Sequence, residues 1–380
     1  MEKSAVKRHL YADLLRVLAV FFVILVHSAA KLMVEWDTLP LDWWLWGNAY
    51  DSLARACVPL FVMLSGALML DRQEPTGVFF KKRLSKLLIP FAFWVAAYIN
   101  WRIFYVGEVL PVDRIVVEVF TGPVYYHLWY LYMVLGLYLI TPALRRLLTV
   151  AGKQELQYLS GLWLVFNSVL PLLLYLVWLY VGYTVNLGVK IPLVAGYSGY
   201  FILGWALARA AVPPPEKLGL WAGLYGLGSA LVFLGTWLFT DAAGEFQAVL
   251  FDYFSLPVAL QAVALFMLLR GVGHLLEDRL SEKSRHRWAM LGKYSFGMYL
   301  IHVMLLELLE GGGLGFRLHG TGFYPALAIP VTAAVLFAGS WALVALLSRI
   351  PLLKHTVVEQ RARKRSAGFR RLPAESREEC

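Results

Sequence analysis

The sequence predicts an all-α, polytopic membrane protein, a bundle of about ten transmembrane helices with both termini in the cytoplasm. Of the 380 residues, 59% are hydrophobic and 16% are charged, whereas soluble domains average about 45–50% and about 25%. The apolar residues form long blocks, and the basic residues lie mostly in alternate connections between those blocks. Together these features indicate helices in contact with lipid and exclude an ordinary soluble domain.

Ten segments are apolar and long enough to cross a bilayer, because a spanning helix needs about 20 mostly apolar residues. The first follows a basic N-terminus but continues from Leu10 to about Val34, which is too long for the apolar region of a signal peptide. We therefore expect it to be a retained helix. In chain order the segments cover residues 10–34, 45–70, 84–106, 125–148, 157–181, 191–210, 217–240, 246–270, 288–309 and 323–350.

The charges of the loops predict the orientation in the membrane. Of the 35 Lys and Arg residues, only Arg114, Lys190 and Arg317 fall in loops predicted to face outward. Cytoplasmic loops are enriched in Lys and Arg, so this asymmetry places both termini in the cytoplasm. We expect a membrane-embedded domain over residues 1–350 and a basic, disordered cytoplasmic tail over residues 351–380.

The net charge of +10 predicts contact with membrane lipids and not with nucleic acid, because the basic residues lie beside the apolar blocks, where anionic head groups lie. The two cysteines, Cys57 and Cys380, indicate no disulfide framework and no metal site. The sequence contains no Gly-x-Ser-x-Gly elbow, no His-Glu-x-x-His zinc motif and no Walker A loop. We therefore expect no metal cofactor.

The first segment carries three ionisable residues on one face. Asp13 and Arg16 are three residues apart and can pair, and His27 follows Arg16 by close to three turns, about 16 Å. An ionisable group within a span costs about 2.5–3.5 kcal/mol, so this stripe is expected to face the bundle interior. A neutral imidazole can take a proton from a hydroxyl, which makes His27 a candidate general base. The alternative is that Arg16 extends to the cytoplasmic surface and His27 is a packing residue.

A second basic group lies where the third segment begins. Arg83 and Lys86 are three residues apart, so they share one face of the helix. Together with Arg16 they can bind the phosphates of coenzyme A (CoA) or of a nucleotide. The alternative is that they only contribute to the ordinary enrichment of basic residues on the cytoplasmic side.

Four further residues are candidates for substrate binding. His127 and Trp129 open the fourth segment on the outer side, and Tyr299 and His302 lie near the middle of the ninth. An aromatic belt at the membrane interface also explains Trp129. A histidine in the middle of the membrane serves either a functional site or a structural hydrogen bond.

These residues resemble the membrane-bound acyltransferase-3 family, which includes bacterial O-acetyltransferases of surface polysaccharides. The resemblance covers about residues 8–350, and its most specific part is Arg16, ten further residues and His27, within Asp-x-x-Arg-x-x-Ala. The supporting motifs are Val58-Pro59-Leu60-Phe61 with Ser65-Gly66, Arg83-Leu84-Ser85-Lys86 before Ile89-Pro90, His127-Leu128-Trp129-Tyr130-Leu131, and Tyr294-Ser295 leading to Tyr299-Leu300-Ile301-His302.

The resemblance implies an acyltransferase of the bacterial inner membrane that uses cytoplasmic acyl-CoA, usually acetyl-CoA. The acceptor would be a hydroxyl of a glycan or of a lipid-linked sugar. The resemblance also implies that Arg16 and His27 are needed for activity, with Asp13 as the partner of Arg16. In the family the basic motif commonly has a second arginine where this chain has Lys86, and lysine lacks the planar, bidentate fork of arginine.

Two other interpretations remain open on the sequence alone. A transporter or exporter of a sugar or small solute would also place ionisable residues within its spans. Many transporters carry inverted repeats with broken helices, and no such symmetry is visible here. A non-catalytic partner of a glycan synthase would neither bind CoA nor turn it over.

Overall fold

The computed structural model describes residues 9–72, 74–184 and 193–358, and within these ranges it contains helices and no β-strand. This confirms the predicted all-α class. The α-helices are α1 (Leu10–Val34), α2 (Leu41–Ala54), α3 (Cys57–Met69), α4 (Thr76–Trp101), α5 (Val112–Thr121), α6 (Trp129–Val150), α7 (Lys153–Leu164), α8 (Leu170–Val181), α9 (Leu193–Arg209), α10 (Leu218–Ala243), α11 (Leu256–Glu277), α12 (Glu282–Gly311), α13 (Pro325–Leu347) and α14 (Lys354–Val357).

Nine helical stretches within the described ranges are long and apolar enough to cross a membrane. This finding confirms the polytopic architecture. The sixth predicted span corresponds to α9, which has 17 residues. It begins directly after residues 185–192, which lie outside the described ranges.

The centre of the bundle is α1, which packs against α2, α3, α11, α12 and α13. Apolar residues such as Leu15, Ile24 and Leu32 are almost completely buried. A helix that is apolar on all sides can be surrounded by protein or by lipid, and α1 is surrounded by five other helices. Its buried polar residues, Asp13 and Ser28, therefore face protein and not lipid.

Two glycines allow α3 and α9 to approach closely. A Cβ atom on Gly66 would collide with the carbonyl oxygen of Phe201, and one on Gly204 would collide with that of Met63. Small residues allow helix backbones to come this near in membrane proteins. The motif Ser65-Gly66 predicts such close packing, and the structure confirms it for Gly66.

The eighth predicted span, 246–270, is wrong at its start, because α11 begins only at Leu256. The preceding segment is irregular, with the Phe254 N–H donating to Asp252 Oδ1 at 2.7 Å. Such local side-chain bonds compete with the helical ladder, and Pro257 is favourable only in the first turn of a helix. Helical geometry therefore starts one residue before the proline.

The second predicted span, 45–70, corresponds to one stretch that is long and apolar enough to cross a membrane, Leu41–Met69. It is not one continuous helix, because a turn at residues 55–56 divides it into α2 and α3. Other helices begin earlier than predicted. The helix of the third predicted span, α4, begins at Thr76 and not at residue 84. The helix of the ninth predicted span, α12, begins at Glu282 and not at residue 288. A prediction from hydropathy leaves a charged first turn out of the span, although such a turn can be helical where it projects into water. The short helix α5 was not predicted, because it is too short to span.

The first residues of the predicted tail pack against the bundle. Thr356 and Val357 are buried, and the indole N–H of Trp94 donates to the carbonyl oxygen of Thr356 at 3.0 Å. Residues 351–358 therefore do not match the disorder predicted for 351–380. The remaining residues, 359–380, lie outside the described ranges.

Candidate active site

A cavity of about 200 Å³ lies between α1, α3, α4, α6 and α12, toward the side predicted to be cytoplasmic. We call it the basic cavity, because Arg16, Arg72, Arg83 and Lys86 line it. Its other lining residues are Phe61, Leu64, Ser65, Leu68, Met69, Leu87, Tyr130, Leu131, Val134, Tyr138, Ser295, Phe296 and Tyr299. A concave, mostly apolar space with convergent cations suits an amphiphilic anion.

The side chain of Arg16 is held in position in this cavity by an ion pair with Asp13. The guanidinium Nη1 lies 3.3 Å from Asp13 Oδ1, and the carboxylate is almost completely buried. Gly292 of α12 lies against Asp13, where a Cβ atom would approach the carboxylate oxygen to 2.8 Å. The predicted pair is therefore present, and its stripe faces the bundle interior.

Glu74 separates the basic residues at the cavity mouth into two groups. Its carboxylate oxygens lie 3.0 Å from Lys82 Nζ and 3.5 Å from Arg145 Nη2. Burial raises the pKa of Glu74, but the hydrogen bond from Lys82 and the charges of Lys82, Arg83 and Arg145 outweigh it, so this pKa lies below its ordinary value. Lys82 and Arg145 are thereby held on Glu74, whereas Arg83 and Lys86 line the cavity. The Nε of Arg83 is buried without a hydrogen-bond partner in the described structure.

The inner end of the basic cavity is formed by two tyrosines, Tyr130 and Tyr299, whose ring centroids are 5.3 Å apart. The Tyr299 hydroxyl donates to the backbone carbonyl of His127. The Tyr299 ring also lies 5.7 Å from that of His127 and 5.8 Å from that of His302. One aromatic residue therefore separates the cavity from two histidines.

Three histidines from three different helical elements meet behind Tyr299. The ring of His302 lies 5.1 Å from that of His27 and 5.5 Å from that of His127. His127 and His302 are buried, whereas His27 is partly exposed and contacts the exposed ring of Tyr126 at 5.3 Å. We call His27, His127 and His302 the histidine cluster. Within this cluster only the His27 side chain is partly exposed at the surface, whereas His127 and His302 are buried.

Hydrogen bonding assigns the tautomer of His302. Its Nδ1 lies 2.6 Å from the carbonyl oxygen of Tyr299, which only accepts, so Nδ1 carries the proton. The Nε2 is then a free acceptor, and it has no partner within the described residues. Unpaired buried polar atoms cost about 1–3 kcal/mol each, a cost that a bound substrate can offset.

A family model described as an acyltransferase domain, Acyl_transf_3, matches residues 9–345 of this chain. The chain belongs to the acyltransferase-3 family. The match covers nearly the same residues as the resemblance seen in the sequence, and it establishes a multi-pass membrane acyltransferase. Comparison with curated proteins and with solved structures gave no significant match.

Most of the predicted site residues of this acyltransferase come together in two groups. Arg16, Arg83 and Lys86 line the basic cavity, and His127 and His302 join His27 in the histidine cluster. Tyr299 lies between the groups. Asp13 contacts Arg16 and not the cluster, since it lies about 21 Å from His27 along the helix axis.

Trp129 is the predicted residue that lies apart, because its ring packs on Tyr197 at 5.7 Å and on Tyr253 at 6.0 Å. Sequence reasoning did not single out Arg72 or Glu307 for the acyltransferase. Glu307 accepts hydrogen bonds from Trp101 Nε1 at 2.6 Å and from the Tyr125 hydroxyl. These bonds hold the segment that presents His127. Glu307 lies five residues after His302 on α12, and a search for further polar residues on that helix could have found it.

Metal binding is not indicated by this arrangement. Within residues 9–72, 74–184 and 193–358, no three His, Cys, Asp or Glu side chains are placed to hold a metal ion.

Proposed function

We propose that this acyltransferase moves an acyl group, acetyl in the simplest case, from cytoplasmic acyl-CoA to a hydroxyl of a glycan or lipid-linked sugar. We place it in the inner membrane of a bacterium, with both termini in the cytoplasm. The observation that carries the proposal is the alignment of the basic cavity, the ring of Tyr299 and the histidine cluster. A donor that occupies the basic cavity is separated from the histidine cluster by the ring of Tyr299 alone.

The chemistry of the basic cavity supports acyl-CoA as the donor. CoA carries several phosphates at one end and a long, uncharged arm with the thioester at the other. Arg83, Lys86 and Arg16 suit the phosphates, because arginine and lysine form charge-assisted hydrogen bonds with phosphate oxygens. The apolar walls between these cations and Tyr299 suit the arm.

The donor must pass the two tyrosines to reach the histidines. Tyr130 and Tyr299 end the basic cavity, and His27 does not line it. We propose that bound acyl-CoA displaces one of these rings and brings its thioester carbonyl beside His27. Both rings are buried, so their displacement requires a collective motion of the surrounding helices. Such motions take microseconds to milliseconds, which is compatible with enzymatic turnover.

The partial exposure of His27 supports its role as the general base. The acceptor hydroxyl reaches it from the outer side, past Tyr126, and gives its proton to the imidazole. The hydroxyl oxygen attacks the thioester carbonyl, the C–S bond breaks as the tetrahedral intermediate collapses, and the CoA thiolate takes the proton from His27. General base catalysis of this kind contributes about 10²–10⁴-fold in rate.

The two buried histidines have a different part in this proposal. The free Nε2 of His302 accepts a hydrogen bond from the His27 ring or from the acceptor hydroxyl. This holds the reacting groups in one orientation. Asp13 orients Arg16 and thereby the donor phosphates, far from the reacting carbonyl.

The decisive experiment measures transfer of radiolabelled acetyl from acetyl-CoA to an extracted glycolipid fraction, using the purified protein in lipid nanodiscs. We expect His27→Gln to lower the rate at least about 100-fold. The matched control is His274→Gln, which changes an exposed histidine of α11. Wild-type transfer by the His27→Gln variant would contradict the proposal, and so would solute uptake without any turnover of acetyl-CoA.

A further inference from the structure

A second cavity, of about 300 Å³, lies between the start of α8 and the irregular segment 244–255 that precedes α11. We call it the lateral pocket. It forms where two departures from α-helical geometry meet, the irregular segment and a π-helical turn at Val165–Val169. Such π-turns occur frequently at functional sites. Irregular backbone at membrane depth is tolerated where it is buried in protein or lines a cavity.

The irregular segment is held firmly by side chains of neighbouring helices. The hydroxyl of Ser168 donates to the carbonyl oxygen of Phe254, and the hydroxyl of Tyr200 donates to that of Tyr253 at 2.5 Å. These bonds supply the partners that the missing helical ladder would have given. The wall of the lateral pocket is therefore a built feature of the bundle.

The polar groups of the lateral pocket suit hydroxyl groups. Asn167, Ser168, Asp252 and Ser255 line it, and none of the lining residues within the described ranges is a Lys, Arg or His. One oxygen of Asp252 accepts the backbone N–H of Phe254, and the carboxylate is otherwise exposed. The amide NH₂ of Asn167 donates to the carbonyl oxygen of Trp163 at 3.0 Å, so its own oxygen remains an acceptor. These acceptor groups suit the hydroxyls of a neutral, hydroxyl-rich molecule.

The lateral pocket lies at the same depth in the membrane as the histidine cluster. Gly273 of α11 packs on the backbone of Tyr11 in α1, and this contact sets a common level for the two helices. Leu256 is 17 residues from Gly273, about 26 Å, and His27 is 16 residues from Tyr11, about 24 Å. A molecule held in the pocket can thus extend to His27 without crossing the bilayer.

The walls of the lateral pocket are open to lipid. The helix α8 has no buried residue, and only 6% of the most apolar window in Lys153–Val181 is buried. Leu173, which follows the lining residues Pro171 and Leu172, is 53% exposed. A ligand can enter between lipid-facing helices and leave an apolar chain in the bilayer.

We propose that the lateral pocket binds the sugar of a lipid-linked glycan, which is the acceptor of the acyl group. The acceptor role rests on the proposed function, whereas the binding does not. Aromatic rings connect the pocket region to the histidines, since Tyr253 contacts Trp129 at 6.0 Å and Tyr130 contacts Tyr299 at 5.3 Å. Trp129 and Tyr130 are adjacent, so these rings form one continuous wall.

Photocrosslinking in nanodiscs tests the binding without any acyl donor. The probe is a decyl glucoside with a diazirine on the chain beside the sugar, and the comparison probe has the same chain with a phosphocholine head group. We expect the glucoside to label residues 165–172 and 248–256 more strongly than the comparison probe. In Asn167→Leu this labelling should fall about tenfold, the effect of one lost hydrogen bond. Ser160→Leu, at an exposed position of α7, should leave it unchanged.

Either of two results would contradict sugar binding in the lateral pocket. One is equal labelling by the two probes, and the other is unchanged labelling in both Asn167→Leu and Asp252→Leu. Thermal unfolding of each variant excludes misfolding as the cause of a loss. Specific labelling without acetyl transfer would support sugar binding in the pocket and contradict the proposed function. Acetyl transfer without specific labelling would contradict sugar binding in the pocket and support the proposed function.

Discussion

Two halves of the bundle have similar hydropathy but opposite surroundings. Both α1 and Lys153–Val181 are strongly apolar, yet 67% of the most apolar part of α1 is buried and only 6% of that part of Lys153–Val181. The buried half, around α1 and α12, contains the paired charges and the histidine cluster. The lipid-facing half, α7, α8 and α10, contains the lateral pocket. Hydropathy detects a span, but it does not show whether lipid or protein surrounds it.

The comparison also shows where ionisable groups are tolerated. In the buried half Asp51 and Arg55 pair at 2.5 Å, with side chains that are 1% and 16% exposed. The guanidinium of Arg55 also lies 4.2 Å from the centre of the Phe251 ring. Charges within a span are costly unless they are paired. The partner of Arg55 lies one turn earlier in the same segment, and Phe251 of the irregular segment before α11 packs against the pair.

The largest expected effect separates a buried ion pair from an exposed one. Arg55→Met leaves the Asp51 carboxylate buried without its cation, which should lower the free energy of unfolding by about 3–5 kcal/mol. The control is Arg209→Met, which breaks an exposed pair with Asp71 at 2.7 Å and should cost at most about 1 kcal/mol. Denaturant unfolding in detergent micelles measures both. Equal losses would contradict the distinction between a buried and an exposed ion pair.

A second expected effect compares two glycines. Gly66→Ala places a methyl group against the backbone of Phe201, where it must push α3 from α9, and overpacking of this kind costs about 1–3 kcal/mol. Gly226 in α10 has open space around it, so Gly226→Ala should stabilise the helix by up to about 1 kcal/mol. Thermal unfolding shows the two signs. A stabilising Gly66→Ala would show that the helices are not in close contact.

The third prediction concerns Tyr299, which lies between the basic cavity and the histidine cluster. Tyr299→Phe keeps the ring but removes the hydrogen bond to the His127 carbonyl, which is worth about 1 kcal/mol. We expect kcat for acetyl transfer to fall about fivefold to tenfold while KM for acetyl-CoA stays the same. Tyr158→Phe, at an exposed position of α7, is the control. A change confined to KM would instead place Tyr299 in donor binding.

The smallest expected effect is pH-dependent. The lowered pKa of Glu74 means that its ion pairs stabilise the protein above the ordinary carboxylate pKa, and that this contribution is lost as the pH falls through the lower, folded-state value. Glu74→Gln should therefore cost about 0.5–1 kcal/mol at pH 7 and nothing at a pH well below 4. Unfolding measured at both values tests this. A cost that is the same at both would assign another role to Glu74.

Much of the candidate site follows from residue types and spacing. The face shared by Asp13, Arg16 and His27 predicts a buried stripe, because unpaired charges do not face lipid. The pairing of Asp13 with Arg16 and the burial of His302 agree with that reasoning. The grouping of His27, His127 and His302 does not follow from spacing, since it joins residues 100 and 275 positions apart in the chain.

The sequence by itself determined the all-α membrane class, nearly all the spans and the family, because lipid and backbone hydrogen bonding impose long apolar helices on any such chain. Only the tertiary structure decided which helices are central, that a turn at residues 55–56 divides the second span, that α11 begins only at Leu256, and which side chains meet. The physical reason is that the hydrophobic effect inserts helices but does not sort them within lipid. Their order is set by close packing and hydrogen bonds between distant residues, such as those of Gly66 with α9 and of Tyr299 with His127.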